Sequence, residues 1–254
     1  MRINTNVAAI TASKNIFINN MAVENSMRKL SSGLRISRAA DDAAGLSIAN
    51  KLRTQSRSLT QAASNAEQGN AMLQIAEGAA STIQKIIERQ KELLVQSASA
   101  SNATVTGTIS TEIGSLQTES ARILADANFQ GTSVFGSLAF QVSDNSTNGT
   151  VTVAASLTLT SLTGSSTLAN ADTALGAVNT TLAAIGAGQN VLDYTVTNLK
   201  SAVVNVRAAE STIRDVDMAE EMANFTKNNI LKQAAEAMLG QANQGSQSIL
   251  QLLR

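Results

Sequence analysis

Apolar or small residues return every seventh position between 46 and 98: Leu52, Leu59, Ala66, Leu73, Ala80, Ile87 and Leu94, with Ala62, Ala76 and Ile83 at intervening positions. A seven-residue return held over so many turns predicts a coiled-coil seam, since a globular amphipathic stripe follows 3.6 residues and drifts off that period. At 1.5 Å per residue the helix is a rod of roughly 75 Å. Its alanine knobs bury little, so another segment must lie along the seam. The predicted partner begins near 172. Leu175, Val178, Leu182, Ile185, Gln189, Leu192, Val196, Leu199, Val203 and Val206 alternate steps of three and four with one polar member. Its length suits antiparallel pairing with 46–98.

The stretch between these helices changes period. After Leu94 comes a polar loop, then a third helix with Ile109, Ile113, Leu116, Ile123 and Ala127 on one face. Leu138, Phe140 and Val142 then alternate with polar residues, as do Val151, Val153, Ala155, Leu157 and Leu159. Period two reads as strands, and Asn148-Gly149 between them is a hairpin signal. This β excursion is too short for a core of its own. Asn170 or Asp172 is the expected cap of the returning helix.

Each end carries a shorter seam. Ile3, Val7, Ile10, Phe17 and Met21 step by four and three, interrupted by Lys14, before the phase slips to Met27, Leu30 and Leu34. Gly33 is placed to stop this helix in the left-handed conformation. Residues 35–45 form a joint, where Asp41 or Asp42 suits the N-cap of the long helix. The last helix, within 211–254, carries Leu231, Ala235, Met238, Ala242, Gly245, Ile249 and Leu252 on its seam. The predicted fold is mainly α: a long antiparallel coiled-coil or helical-bundle rod with paired N- and C-terminal helices and a small β-hairpin region. The terminal segments 1–43 and 211–254 are the two halves of one domain. The rod domain is 44–210, with helices 44–98, 104–128 and 171–210 and the hairpin region at 129–165. Short, alanine-rich terminal seams predict that residues 1–40 and 212–254 are poorly ordered in a free monomer and fold when neighbouring copies cover them.

Composition narrows the chemistry. The 254 residues contain no Pro, Cys, Trp or His, and only 2% are aromatic. Absence of Pro fits long uninterrupted helices, and scarcity of aromatics argues against a compact ball. His- or Cys-dependent triads and His- or Cys-ligated zinc sites are excluded. Asp41/Asp42 and Glu220/Glu221 are adjacent pairs that diverge on a helix, and phosphate-binding glycine loops are absent. No enzyme, cofactor or metal is expected. The 19 positive and 19 negative residues balance, which gives no general attraction to nucleic acid or anionic membrane. Residues 1–60 hold nine basic against three acidic residues and 208–254 four against six, a complementarity that favours pairing of the ends. No window approaches 18 apolar residues, and the start lacks the continuous apolar run of a cleaved signal. The chain is expected to be cytosolic, or to leave by a route that reads no such signal. Asn145, Asn148 and Asn179 head Asn-x-Ser/Thr triplets that are read as chance.

Four long motifs, MRINTNVAAI at the start, LSSGLRISRAADDAAGLSIANKLR at 30–53, IRDVDMAEEM at 213–222 and QANQGSQSILQLLR at 241–254, closely resemble bacterial flagellin. The resemblance covers about 1–130 and 170–254 and implies a short form without bulky outer domains. It implies a structural subunit, exported unfolded through the flagellar channel by the flagellar type III apparatus. That subunit assembles into the extracellular helical filament used for swimming. On this reading 1–43 and 211–254 form the inner domain. Self-assembly residues are Ile3, Val7, Ile10, Phe17, Met21, Arg35, Arg38, Asp41, Asp42, Met238, Ile249, Leu250, Leu252 and Leu253. The joint residues among them otherwise read as a solvated turn. Implied partners are other copies of the chain, an export chaperone, the filament cap and the hook-junction proteins. The stretch ERQKELLVQ at 88–96 resembles the segment recognised by the vertebrate Toll-like receptor for flagellin. Carried over by position, its contacts are Arg89, Leu93 and Glu112, although lateral packing is their primary role. Two alternatives stand: a hook–filament junction protein, and a signalling coiled coil like a chemoreceptor cytoplasmic region. The second predicts no strands at 133–160.

Overall fold

A computed structural model describes residues 5–99, 106–143 and 149–252, with side chains as far as 245. The chain divides into two units, one built from 55–205 and the other from the two ends, 1–54 and 206–254. Two helices run through the boundaries: α2 (Ala43–Ser97) and α4 (Leu168–Arg214). The strands observed in the centre rule out the strandless chemoreceptor-like alternative.

In the 55–205 unit, α2 and α4 run antiparallel. Polar rungs fix the direction. Glu67 pairs with Lys200, Asn70 donates to Asp193, Gln189 donates to Glu77, and Lys91 pairs with Asp172. Between the rungs, a step of seven forward along α2 matches a step of seven back along α4. Ala66, Leu73, Ala80, Ile87 and Leu94 are buried on one side, and Leu199, Leu192, Ile185, Val178 and Ala171 on the other. Small residues sit opposite large ones at both ends of the series, which suits close packing. The second row of the α4 seam is Ala174, Thr181 and Gly188. The apolar pattern points instead to Leu175, Leu182 and Gln189, one residue along. Those longer side chains lie at the margin of the core, and the smallest residues take the deepest positions.

The third helix, α3 (Thr106–Asp126), buries Ile109, Ile113 and Ser120 against the same core. Two hairpins follow. Strands β1 (Asn128–Phe129) and β2 (Thr132–Ser133) are joined by a two-residue turn, Gln130 and Gly131, with φ of 52° and 81°. Both residues are in the left-handed region, as a tight primed turn requires. Strands β3 (Ser137–Gln141) and β4 (Thr150–Ala154) pair antiparallel, Ser137 with Ala154 through Gln141 with Thr150. Gly149 closes that hairpin through its carbonyl to the Val142 N–H, while Asn145 and Asn148 lie outside the described residues. Leu138, Val142 and Val153 point into the helix core, as their alternation predicts.

Two glycines seat the β3–β4 hairpin. A Cβ on Gly188 would lie 2.7 Å from both Val153 methyls, and one on Gly69 would lie 2.9 Å from the Phe140 ring. The hairpin therefore rests directly on helix backbone. The chain then crosses α3, where Leu162 N–H donates to Gln117 Oε1, and makes a turn at Thr163–Ser166. That turn starts α4 at Leu168, so Asn170 and Asp172 lie inside the helix and do not cap it. The Asp172 carboxylate is instead held by Lys91. Asn179 lies exposed within α4.

In the unit made from the two ends, α1 (Val7–Ser32) packs along α5 (Met218–Leu252). Asn6 caps α1 by accepting the Ala9 N–H, and its amide donates to the Ala242 carbonyl on α5. Gly33 ends α1 at φ 69°, its N–H closing onto the Lys29 carbonyl. No described helix is long and apolar enough to cross a membrane.

Candidate interaction surface on the terminal helices

The joint at 33–45 is built from backbone hydrogen bonds. Arg35 N–H donates to the Arg214 carbonyl at 2.7 Å, and Val216 N–H donates to the Gly33 carbonyl at 3.1 Å. The Arg35 guanidinium adds a bond to the Ile213 carbonyl. These contacts tie the exit of α1 to the link between α4 and α5. Asp41 accepts from the backbone N–H groups of Ser37 and Arg38, and Asp42 accepts from Gly45 N–H as the N-cap of α2. The Arg38 and Ser37 N–H groups hold the Asp41 carboxyl below its usual range. Asp41 and Asp42 thus do separate work: one closes the loop and the other starts the helix. Arg35, Arg38, Asp41 and Asp42 all remain exposed. Nearby, Lys29 pairs with the largely buried Glu221 at 3.6 Å.

On α1 the less exposed residues on one face are Ala12, Ile16, Asn19, Val23, Ser26 and Leu30, a row of branched aliphatics beside a row of small or polar residues. On α5 the less exposed positions include Glu221, Phe225, Asn228, Lys232, Ala235, Leu239 and Ala242, which step by four and three, with Asn229 beside Asn228. This contact shares Leu30, Ala235 and Ala242 with the seams that the apolar pattern predicts, but not their larger members Val7, Ile10, Phe17, Met21, Leu231 and Met238. Val7, Ile10, Phe17 and Met21 are 62%, 59%, 65% and 50% exposed. Ile10, Phe17 and Met21 form a second stripe around α1, turned away from α5, and Val7 stands at its edge beside α5. On α5, Leu231 and Met238 are likewise exposed. They line an open apolar groove of about 910 Å³ with Val7, Ala12 and Ile18 of α1. The unit has an apolar inside that is narrow and an apolar outside that is wide.

Of the other expected assembly residues, Ile3 and Leu253 lie outside the described residues. Ile249, Leu250 and Leu252 are helical in α5, with side chains outside the description. The receptor-like segment needs one correction. Arg89 is exposed and paired with Glu92 and Glu112, which together strengthen its hold on its proton. Leu93 is 2% exposed and sits in the core with Ile109 and Ile113. Its side chain is enclosed and offers no contact to an outside partner. The seam itself runs through Ile87 and Leu94, and α3 lying over this side of α2 encloses Leu93 as well.

Comparison with known proteins decides what this surface belongs to. Residues 3–139 match the family model for the bacterial flagellin N-terminal helical region, and 168–253 match that for the bacterial flagellin C-terminal helical region. The chain belongs to the flagellin family. A flagellin of Halalkalibacterium halodurans is 41% identical over 275 residues, and one of Bacillus subtilis is 38% identical over 304. The flagellar filament 33 kDa core protein of Treponema phagedenis is 38% identical over 286 residues. All three alignments span 100% of this chain and 100% of the relative. Flagellins are structural proteins and not enzymes, and this chain is a structural subunit of the flagellar filament. Both terminal helices fall inside the matched regions, so the uncovered apolar stripe belongs to the part of the chain that defines the family.

Proposed function

We propose that this flagellin-family subunit polymerises through the uncovered faces of α1 and α5, with 1–43 and 211–254 forming the inner domain and 44–210 the outer one. The observation that carries the reading is the exposure of Val7, Ile10, Phe17 and Met21 on a helix whose other face is already covered. Burying one such side chain is worth about 1.5–3 kcal/mol. A stripe of four, repeated in every copy, therefore supplies the drive for association. Contacts that repeat without closing generate an open helical polymer. Ile3, Met238, Ile249, Leu250, Leu252 and Leu253 extend the same interface. Arg35, Arg38, Asp41 and Asp42 set the joint against a neighbouring copy.

The subunit travels unfolded through the flagellar channel and serves swimming motility as an extracellular filament. The absence of Cys and Pro is compatible with that route, since neither disulfide formation nor slow prolyl isomerisation delays refolding at the tip. Before export, a chaperone takes the apolar side of α5 in a helix-in-groove mode. Cap and hook-junction proteins meet the ends of the filament. A receptor reading the 88–96 segment would meet Arg89 and Glu112 at the surface. The test is Phe17→Asp and Ile10→Asp in the full chain. We expect unchanged melting of the 55–205 unit and no filaments by electron microscopy. Removing 245–254 has the same expected outcome. Normal filaments from either aspartate variant would overturn the assignment of the stripe.

A further inference from the structure

The chain has seven methionines. Met72 is enclosed in the core of the 55–205 unit, whereas Met21, Met27, Met218, Met222 and Met238 are 48–65% exposed and all lie in the unit made from the two ends. Methionine is ordinarily among the buried residue types, so five exposed thioethers in one unit are unusual. Two of them stand on the surface described above. Met21 shares the α1 stripe with Val7, Ile10 and Phe17, and Met238 lines the groove beside Leu231. The chain offers no Cys, Trp or His, which leaves methionine as the readiest target for a mild oxidant.

We propose that Met21 and Met238 are oxidation sites that gate self-association. The reactant is a two-electron oxidant of the peroxide class. The thioether sulfur attacks one peroxide oxygen, the O–O bond breaks and an S–O bond forms. Sulfur is oxidised by two electrons to the sulfoxide, and hydrogen peroxide is reduced to water. The side chain becomes polar and chiral, and the apolar contact it would make with a second copy of the chain is lost. Oxidation is therefore damaging to the free subunit and slow in the filament, where neighbouring copies cover both sulfurs. Methionine sulfoxide reductases reverse the change. This inference rests on the reading that these faces receive a second copy.

The experiment treats full-length monomer with hydrogen peroxide, maps sulfoxide at each methionine by peptide mass spectrometry, and measures elongation on fragments of untreated filament. We expect Met21 and Met238 to oxidise at least about tenfold faster than Met72, which stays enclosed, and elongation to fall by about tenfold or more per lost contact. Treatment with both reductase types restores it. In preformed filaments Met21 and Met238 oxidise about tenfold more slowly than in the monomer, the factor that burying one such side chain supports. Met21→Leu/Met238→Leu elongates normally and continues to do so after peroxide. Unimpaired elongation of fully sulfoxidised monomer would overturn the proposal, as would undiminished peroxide sensitivity of the double variant. Failure of the assembly reading has its own signature: untreated monomer that does not elongate at all, which removes the basis of this proposal with it.

Discussion

Leu73, Ile83, Ile113, Ile185 and Leu192 are fully enclosed in the 55–205 unit, while Val7, Ile10, Phe17 and Met238 in the unit made from the two ends stand more than half exposed. Both units are built from long helices with the same three-four spacing. They differ in what covers the second side of each helix. In the 55–205 unit, α3 and the two hairpins lie on the α2–α4 pair and close its core. In the other unit, among the described residues, α1 and α5 cover each other along one face, the joint meets only the end of α1 at Asn25, Arg28 and Lys29, and Ile10, Phe17 and Met238 stay uncovered. Periodicity thus fixes where a helix is apolar, but the number of covering elements decides whether one chain satisfies it. The incomplete unit is the one whose faces a neighbouring copy must finish.

Mutations should separate the two cases. The largest effect is expected from Leu73→Ala or Ile185→Ala, which should destabilise the 55–205 unit by about 2–5 kcal/mol in denaturant melts. Ile10→Ala removes as many atoms as Ile185→Ala. It should nonetheless leave monomer stability within about 0.5 kcal/mol, because its side chain is exposed. Its expected effect is on filament growth, which should slow. Similar losses of stability for both would erase the contrast.

Next come the glycines under the hairpin. Gly188→Ala places a methyl 2.7 Å from the stiff, branched Val153 and should cost about 1–2 kcal/mol despite the helix propensity of alanine. Gly78→Ala, which meets nothing within 4 Å, should stabilise by up to about 1 kcal/mol. Equal melting shifts for these two helix glycines would show that the hairpin does not rest on Gly188.

A smaller change is expected at Gln90. Its amide nitrogen donates to the Ile113 carbonyl, but its buried Oε1 has no partner among the described residues. Gln90→Met should therefore raise stability by about 1 kcal/mol, and a fall of that size would show the amide to be essential.

The smallest effect is a pH dependence at the joint. The Asp41 carboxyl is held below its ordinary value by two backbone N–H donors. Its contribution is thus present above the ordinary carboxylate range and is lost as pH falls through the lowered folded value. The protection of the Ser37 and Arg38 amides, measured against the exchange of an unstructured chain at the same pH, should fall on acidification in the parent chain. In Asp41→Asn that step should be absent.

The long helices are legible because seven-residue returns such as Leu73, Ala80 and Ile87 hold over many turns. The β3–β4 hairpin is legible because Leu138, Phe140 and Val142 alternate. The β1–β2 hairpin is not, since two-residue strands have no period to read. The pattern misplaces the inner row of α4 by one residue, because Ala174, Thr181 and Gly188 look less like core than Leu175 and Leu182. Leu93 reads as a contact residue from its resemblance alone, and only the position of α3 encloses it. The stripe through Val7, Ile10 and Phe17 is visible as an apolar face. That α5 lies on the other side of α1 requires the structure, because the Ile16, Val23 and Leu30 row there is paired with Ala12, Asn19 and Ser26 and is masked by the larger stripe.

Amide hydrogen exchange of the same chain as monomer and as filament tests the central claim most directly. The account predicts slow exchange through 55–205 in both states, and fast exchange in α1 and α5 of the monomer that becomes slow on assembly. Full protection of α1 and α5 in the monomer, unchanged in the filament, would contradict it.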